Sequence, residues 1–375
     1  MVDVQVEKGR GPSVAAVVLA AGRSTRMGAF KPLMPFGGGT VVSHVVGCLV
    51  AARIAPVIVV VGHDASQLTP EVEALGAVAV FNSDFAGGMM TSVRAGVAAL
   101  PEEVTAAFVL PVDIPMIRSQ TLLRLAAAAT RSSIVRPTFR GRIVHPPLIG
   151  SDFFADILGV SPGETLRQFL ADRQDATIEL PVIDSGTQRD MDCTAEYWRL
   201  VDDFATNKHP DESECEAMLE MAGTPEPTRR HARAVTRLAL DIAAKLRFQG
   251  TPLDVDLVRA GALLHDIAKG ETDHAAVGAR YVADFGFPDA ARIVAGHMEM
   301  AFAPGDPIDE RVVVVLADKL TSGERQVTLE ERFAPAFVRF ANEPDALRGA
   351  RRKYASVAMI LAAVEAKIGP VRPEG

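Results

Sequence analysis

Four short apolar segments in the first half of the chain alternate with stretches of helical character. The apolar segments are Val14–Ala20, Val57–Val61, Ala77–Phe81 and Ala106–Leu110, and the helical stretches are Val41–Arg53, Thr91–Leu100 and Gln120–Thr130. Apolar runs of this length are typical of strands that are buried on both faces. Their alternation with helices predicts βαβ units, and therefore an α/β fold with a Rossmann-like, mostly parallel sheet. The pattern continues to about Phe204.

The chain changes character after that point. Residues 206–228 carry six acidic residues, one lysine and three prolines, which indicates an acidic linker with one short helix near Glu214–Met221. Beyond it the apolar spacing predicts an all-α domain over residues 229–375. Its expected helices are Arg229–Arg247, Leu253–Ala268, Ala275–Phe285, Ala290–His297 and Arg311–Leu320. The run of valines at 312–315 is ambiguous, because valine favours strands by propensity.

Length, charge and cysteine content narrow the class of protein. A chain of 375 residues exceeds the usual size of one domain, so two are expected. The 39 basic and 47 acidic residues give a net charge of −8, which argues against nucleic acid as a partner. The longest apolar runs are far below the roughly 18 residues that span a bilayer, so no membrane association is expected. A polar Met1–Ser13 and three cysteines without CxxC spacing predict a cytoplasmic protein with reduced thiols.

The loop that follows the first predicted strand is the most informative segment. It reads LAAGRSTRMG over residues 19–28 and is followed by Lys31-Pro-Leu. Ligands of α/β folds bind at the carboxyl ends of the strands, and small residues let backbone N–H groups approach a phosphate there. The candidate nucleotide-binding residues are Leu19, Ala20, Ala21, Gly22, Arg23, Arg26 and Lys31, of which the last three are cationic. The loop fits neither a Walker A motif nor GxGxxG, and a generic glycine turn with surface arginines is the alternative.

Carboxylates follow the fourth predicted strand and precede the last helix of the first domain. Asp113 lies in Leu-Pro-Val-Asp-Ile-Pro, where one carboxylate can hold Mg²⁺ against a triphosphate. The alternative is a turn or helix-capping aspartate before Pro115. Asp190 or Asp192 could supply a second carboxylate, although one of them could equally cap the helix that starts near Thr194.

Four of the eight histidines lie in the second domain, with two aspartates suited to join them. The candidate ligands of a divalent metal are His231, His265, Asp266, His274, His297 and Asp318. Imidazole and carboxylate groups that converge in a helical core form a plausible metal site. Each histidine taken singly is more often a core or surface residue, so the prediction depends on the whole set.

The first domain resembles the molybdenum cofactor nucleotidyltransferases of the NTP-transferase superfamily. LAAGRSTRMGAFKPL carries the resemblance, which continues through NSDFAGGMMTSVRAG, PVDIP, GRIVHP and DMDCTAEYW and covers residues 12–204. It implies nucleotidyl transfer from an NTP with pyrophosphate release, with Lys31 and Ser92 at the nucleotide and Asp113 and Asp192 on Mg²⁺. The double alanine before Gly22 resembles the cytidylyltransferase branch, which favours CTP. The implied acceptor is a molybdopterin-type phosphate and the implied client a molybdoenzyme, with a sugar or alcohol phosphate acceptor as the alternative.

The second domain resembles the HD phosphohydrolase superfamily. The matching segments are HARAV at residue 231, LLHDIAK at 263–269, HAAVGA at 274, His297 and LADKLT at 316, and they cover residues 225–335. The resemblance implies that His231, His265, Asp266 and Asp318 hold one divalent metal and that His274 and His297 add a second. It places Lys269 near the substrate phosphate. The implied activity is metal-dependent phosphoester hydrolysis, with a regulatory nucleotide-binding module as the alternative.

Overall fold

A computed structural model describes residues 13–23, 27–206, 208–298 and 301–371 of the chain. The chain divides into two compact units, Met1–Ala205 and Thr206–Gly375. Among the described residues, every helix is too short or too polar to cross a membrane.

A mostly parallel sheet forms the centre of the first unit. The strands of this unit are β1 Val14–Leu19, β2 Pro35–Phe36, β3 Gly39–Thr40, β4 Val57–Val61, β5 Val78–Phe81, β6 Ala106–Pro111, β7 Ile134–Phe139, β8 Arg142–Ile143, β9 Leu148–Gly150 and β10 Thr177–Pro181. The main sheet has the order β10-β7-β9-β6-β1-β4-β5, with β8 paired to β7 and β2 paired to β3 outside it. Only β8 and β9 run antiparallel to their neighbours in this main sheet of the described chain. The predicted α/β class is therefore confirmed.

Helices connect and cover these strands. They are α1 Val41–Ala51, α2 Ala65–Ala74, α3 Met89–Ala98, α4 Ser119–Ala127, α5 Phe154–Leu158, α6 Leu166–Ala171 and α7 Thr194–Thr206. Helix α3 packs closely on β1 because it carries Gly96 at the contact. A Cβ atom at Gly96 would lie 2.2 Å from Val17 Cγ1, so any larger residue would push the helix away from the sheet.

The part of the sheet beyond β6 was not predicted from the sequence. Strand β7 includes Arg136 and Pro137, residues that interrupt an apolar strand pattern. Strand β9 has only three residues, and β10 is a mostly exposed edge strand that contains Glu179. These strands owe their place to pairing with neighbours far along the chain, which local propensity does not encode.

The second unit is helical apart from one small hairpin. Its elements are α8 Glu212–Met221, α9 Glu226–Phe248, α10 Val255–Leu264, α11 His274–Asp284, α12 Pro288–Gly296, α13 Glu310–Lys319, β11 Thr321–Ser322, β12 Arg325–Gln326, α14 Leu329–Arg339 and α15 Pro344–Ile368. The ambiguous valine run lies in α13. Asp309 caps this helix by accepting a hydrogen bond from the Val312 amide at 2.8 Å. All four valines are buried, so packing on other helices outweighs their strand propensity.

The acidic segment 206–228 contributes a packed helix to the second unit. Asp211 begins α8 with a capping box, in which its side chain accepts from the Glu214 amide and the Glu214 side chain accepts from the Asp211 amide. Cys215 and Met218 of this helix are fully buried. The segment is therefore part of a folded unit over much of its length and is not extended throughout.

Candidate active sites

A cavity of about 280 Å³ lies at the carboxyl end of β1 in the first unit. The parallel pairing of β1 with β6 sets Leu19 opposite Pro111, so the loops that follow both strands leave the same edge of the sheet. The backbone of residues 19–22 lines one side of the cavity, and Asp113 lines another. Helix α3 contributes Ser92 near its N-terminus. The predicted strand-to-loop segment thus borders a space of suitable size for part of a nucleotide.

Lys31 bridges two of the predicted carboxylates at this cavity. Its Nζ lies 3.0 Å from Asp113 Oδ2 and 3.1 Å from Asp192 Oδ1, and its side chain is only 11% exposed. The Met191 amide donates to the Asp113 carbonyl at 3.0 Å, which holds Asp192 beside Asp113. Burial alone would lower the pKa of Lys31, but the charges and hydrogen bonds of Asp113 and Asp192 outweigh burial and raise this pKa above its ordinary value. The structure therefore places one cation between two carboxylates.

Two further acidic residues shape this group. Burial, together with the charges of Asp192 and Asp113, raises the pKa of Asp190, so a third carboxyl lies close to the pair. Glu196 Oε2 accepts hydrogen bonds from the Asp192 and Cys193 amides, both at 2.9 Å. These bonds fix the turn that carries Asp192 at the start of α7. The carboxylates gathered around Lys31 favour the binding of a cation at this end of the sheet.

A buried aspartate secures the loop that leads to these residues. Asp184 is fully buried and accepts hydrogen bonds from the Arg118 amide at 2.9 Å, the Thr121 hydroxyl at 2.7 Å and the Gly186 amide at 3.1 Å. The backbone of Gly186 is tightly packed, since a Cβ there would lie 2.2 Å from the Met116 carbonyl oxygen. The segment before Asp190 is thereby fixed to the start of α4.

The second unit brings its six candidate ligands into two adjoining groups. His231 lies on α9, His265 and Asp266 directly follow α10, His274 begins α11, His297 follows α12 and Asp318 lies on α13. One group comprises His231, His265 and Asp318, and the other comprises Asp266, His274 and His297. Within each group the ligand atoms lie within 4.8 Å of one another. Five of the six residues are buried, and His274 is partly exposed.

Backbone carbonyls fix the orientation of three of these imidazoles. The Nδ1 atoms of His231, His265 and His297 lie 2.8, 2.8 and 2.7 Å from the carbonyl oxygens of Gly323, Ala262 and Val294. A carbonyl only accepts, so the Nδ1 of each ring donates its proton to the backbone and the Nε2 of each ring faces the carboxylates. A histidine that binds a metal through one ring nitrogen usually donates the N–H of the other to a carbonyl or carboxylate in this way.

The Nε2 atoms and carboxylates meet at the centre of the group. Asp266 Oδ1 lies 3.5 Å from Nε2 of both His274 and His297, and its Oδ2 lies 3.5 Å from Nε2 of His265. The Nε2 atoms of His265 and His297 are buried, and neither has a good hydrogen-bond partner among the described residues. Buried imidazole nitrogens that lie beside carboxylates can bind a divalent metal ion.

Lysines balance the negative charge of the two aspartates. Lys269 Nζ lies 2.5 Å from Asp266 Oδ2, and Lys319 Nζ lies 2.6 Å from Asp318 Oδ2. Burial would raise the pKa of both carboxyls, but the adjacent histidines and lysines hold it well below the usual range. Both aspartates are therefore ionised, as metal ligands must be.

Comparison with known families identifies the two domains that carry these sites. Residues 16–177 match the family described as the MobA-like NTP transferase domain, and residues 228–323 match the HD domain. The chain is a MobA-like NTP transferase domain fused to an HD domain.

Two curated relatives match part of this chain. The bifunctional protein GlmU of Clavibacter sepedonicus is 33% identical over 149 residues, which are 36% of this chain and 30% of that protein. The chain thus spans about a third or less of the GlmU proteins that it matches. An uncharacterised protein of Methanocaldococcus jannaschii is 31% identical over 118 residues, which are 27% of this chain and 70% of that protein. A nucleotidyl transferase structure from Methanothermobacter thermautotroptrophicus, 24% identical, aligns over 52% of this chain and all of its own, with a TM-score of 0.47.

Most predicted residues of the NTP transferase domain border one cavity. The exceptions are Asp192, which pairs with Lys31 beside the cavity, and the two arginines. Arg23 lies over the ring of Phe85, with its guanidinium carbon 5.6 Å from the ring centroid, and is exposed. Arg26 lies outside the described residues. Ser92 is buried and accepts a hydrogen bond from Asn82 Nδ2 at 3.0 Å. In the HD domain all seven predicted residues come together, with Lys269 at Asp266.

Sequence reasoning missed several residues that support these sites. Asn82 lies within the NSDFAGG segment and Lys319 lies within LADKLT. Both therefore belong to segments that carry the family resemblance, but neither was assigned a function. Asp184 had no signal, because its partners Arg118 and Thr121 are more than 60 residues away in sequence. Glu196 could have been found, since it follows Thr194 in the predicted helix and can reach back to amides before it.

Proposed function

We propose that the NTP transferase domain transfers a nucleotidyl group, preferably cytidylyl from CTP, to a phosphorylated acceptor such as the molybdopterin cofactor. An oxygen of the acceptor phosphate forms a bond to the α-phosphorus, and the bond from that phosphorus to the bridging β-oxygen breaks. Pyrophosphate leaves with the bonding electrons. The observation that carries this proposal is Lys31 held between Asp113 and Asp192 at the edge of the cavity.

The residues around the cavity divide the work of holding a triphosphate. The backbone of residues 19–22 and the small side chains there allow a close approach of phosphate oxygens. Lys31 already pairs with carboxylates, so its ammonium can exchange them for a phosphate when a nucleotide enters. Asp113 and Asp192 would then hold Mg²⁺, which offsets the charge of the triphosphate. The lysine ammonium between these carboxylates supports a cation site there.

For the HD domain we propose metal-dependent hydrolysis of a phosphoester. Its two groups of ligands suit two divalent ions, with Asp266 in the second group and His265 beside both aspartates. Bound metals would supply Lewis acidity and lower the pKa of water. Lys269 is half exposed beside Asp266, which supports a contact of its ammonium with a phosphate oxygen of the substrate. A regulatory module would not need all six ligands in this arrangement.

The transferase proposal is tested by a screen of the purified chain for pyrophosphate release. Each of the four NTPs is paired with molybdopterin cofactor, with sugar phosphates and with alcohol phosphates. We expect CTP with the molybdopterin acceptor to react fastest, and a preference over GTP of about 10- to 200-fold, since small apolar differences discriminate by that much. Turnover of a sugar or alcohol phosphate instead would replace the acceptor, and equal use of CTP and GTP would refute the cytidylyl preference.

The hydrolase proposal is tested with p-nitrophenyl phosphate and its bis ester. The chain is freed of metal with a chelator and reloaded with Mg²⁺, Mn²⁺, Fe²⁺, Co²⁺ or Ni²⁺ in turn. Release of p-nitrophenol that requires one of these metals supports hydrolysis. Metal binding without release under any of them would favour the regulatory alternative.

A further inference from the structure

A second cavity, of about 540 Å³, lies in the second unit beside the metal ligands. Lys319 connects the two features, because it lines this cavity while its ammonium pairs with Asp318 at 2.6 Å. The size is within the range of pockets that bind small molecules. A substrate whose phosphate reached the metal ligands would have room here for its remaining part.

Helix α15 forms a wall of this cavity and lies outside the matched HD segment. The HD match ends at residue 323, whereas α15 spans Pro344–Ile368. The helix contributes two adjacent cations, Arg352 and Lys353, and the apolar side chains of Val357 and Met359. This wall of the cavity therefore comes from a segment of the chain that lies outside the matched HD domain.

The lining has two chemically distinct parts. Lys319, Arg352 and Lys353 are cationic, and of the described residues that line the cavity none is acidic. Phe302 and Met359 belong to the apolar part. The cationic part of the lining favours an anion, and the apolar part favours a ring or hydrocarbon body.

We propose that this cavity binds the leaving part of the HD substrate, and that the substrate is a phosphoester with an apolar ring and a second anionic group. The inference rests on the hydrolase proposal above and names the substrate class of the same site. Arg352 pairs with the second anionic group, and Met359 contacts the ring. The scissile phosphate lies at the metal ligands, with Lys319 between the two regions.

Four phosphomonoesters separate the two features of the leaving part. Glycerol 3-phosphate has neither feature, p-nitrophenyl phosphate has the ring, 3-phosphoglycerate has the second anion, and 4-carboxyphenyl phosphate has both. Leaving groups differ in intrinsic reactivity, so each substrate is compared only with itself across variants. The readout is kcat/KM in Arg352→Ala relative to the parent chain, loaded with the most active metal.

We expect Arg352→Ala to lower kcat/KM for 4-carboxyphenyl phosphate about 10- to 100-fold, the usual effect of a lost hydrogen bond between charged groups. The loss for p-nitrophenyl phosphate should be at least fivefold smaller. Met359→Ala should lower kcat/KM for both ring substrates, whatever their charge, and leave glycerol 3-phosphate and 3-phosphoglycerate nearly unchanged. Arg351→Ala is the matched control, because Arg351 is exposed on the same helix and does not line the cavity.

Binding measurements keep the inference separate from the hydrolase proposal. Calorimetric titration of the metal-loaded parent with 4-carboxyphenyl phosphate should show binding that weakens in Arg352→Ala and not in Arg351→Ala. Binding without hydrolysis would refute the hydrolase proposal and support the pocket. Equal losses for all four substrates in Arg352→Ala, or no difference from Arg351→Ala, would overturn the pocket. Absence of both binding and hydrolysis would overturn both.

Discussion

Removing the ammonium of Lys31 should have opposite effects on metal binding and on activity in the NTP transferase domain. This ammonium lies between Asp113 and Asp192, the two carboxylates that we propose as metal ligands. Replacement by methionine keeps a long side chain in the same space and leaves the carboxylates without their partner. We therefore expect Lys31→Met to bind Mn²⁺ more tightly than the parent when no nucleotide is present.

The contacts set the size of the effect. A hydrogen bond to a charged group contributes about 1.5–3 kcal/mol when it is buried. The side chains of Asp113 and Asp192 are 26% and 47% exposed, so solvent screening reduces the two bonds together to about the value of one. Relief of that competition corresponds to a roughly 10- to 100-fold lower Kd for Mn²⁺. Pyrophosphate release should nevertheless fall by about 100-fold or more, because the triphosphate loses its cationic partner.

Electron paramagnetic resonance of free Mn²⁺ provides the assay. Parent and variant share the HD ligands, so the difference between their titrations reports the carboxylates of the NTP transferase domain. Lys31→Arg retains the positive charge and should bind Mn²⁺ like the parent. Unchanged or weaker Mn²⁺ binding in Lys31→Met would refute the view that Lys31 holds the place of the metal.

Two further predictions concern the metal ligands and the thiols. Metal analysis should find two equivalents in the HD domain of the full chain and one in His274→Ala/His297→Ala. The far-ultraviolet spectrum of the variant should be unchanged. One equivalent in both proteins would refute two separate ions. Labelling with a thiol reagent at pH 8 should modify Cys193 first, because it is exposed, and Cys48 slowly, because burial and the charge of Asp184 raise its pKa to about 11. The rate at Cys48 should rise about 100-fold between pH 8 and pH 10 as the thiolate fraction grows, and three equally fast thiols would contradict this burial.

The sequence was sufficient for those parts of the fold that local pattern determines. Strands β1, β4, β5 and β6 are continuous apolar runs, and the structure has all four within two residues of the predicted bounds. Strands β7 and β10 were missed because proline, arginine and exposed residues obscure the pattern there. Their positions depend on pairing across the sheet, which no local signal gives.

The candidate sites show the same division between local and long-range information. The candidate ligands of the HD domain could be grouped from the sequence, because a histidine next to an aspartate, with further histidines at helix ends, is recognisable there. The ion pair of Lys31 with Asp192 spans 161 residues and was not predicted, because the resemblance assigned Lys31 to the nucleotide and Asp192 to Mg²⁺. The role of Asp184 could not be predicted, because a lone aspartate in sequence gives no sign of being fully buried. Helix α15 lies beyond every motif, so its cations had no assigned function before the structure placed them at a cavity.

We propose that one chain carries two separate chemistries, each built from the residues of one unit. The most direct measurement follows pyrophosphate release and p-nitrophenyl phosphate hydrolysis in the same preparations of the parent, Asp113→Asn and Asp318→Asn. We predict that Asp113→Asn lowers pyrophosphate release by about 100-fold or more and leaves hydrolysis within twofold, and that Asp318→Asn does the reverse. Loss of both activities in either variant, or of neither, would contradict the account.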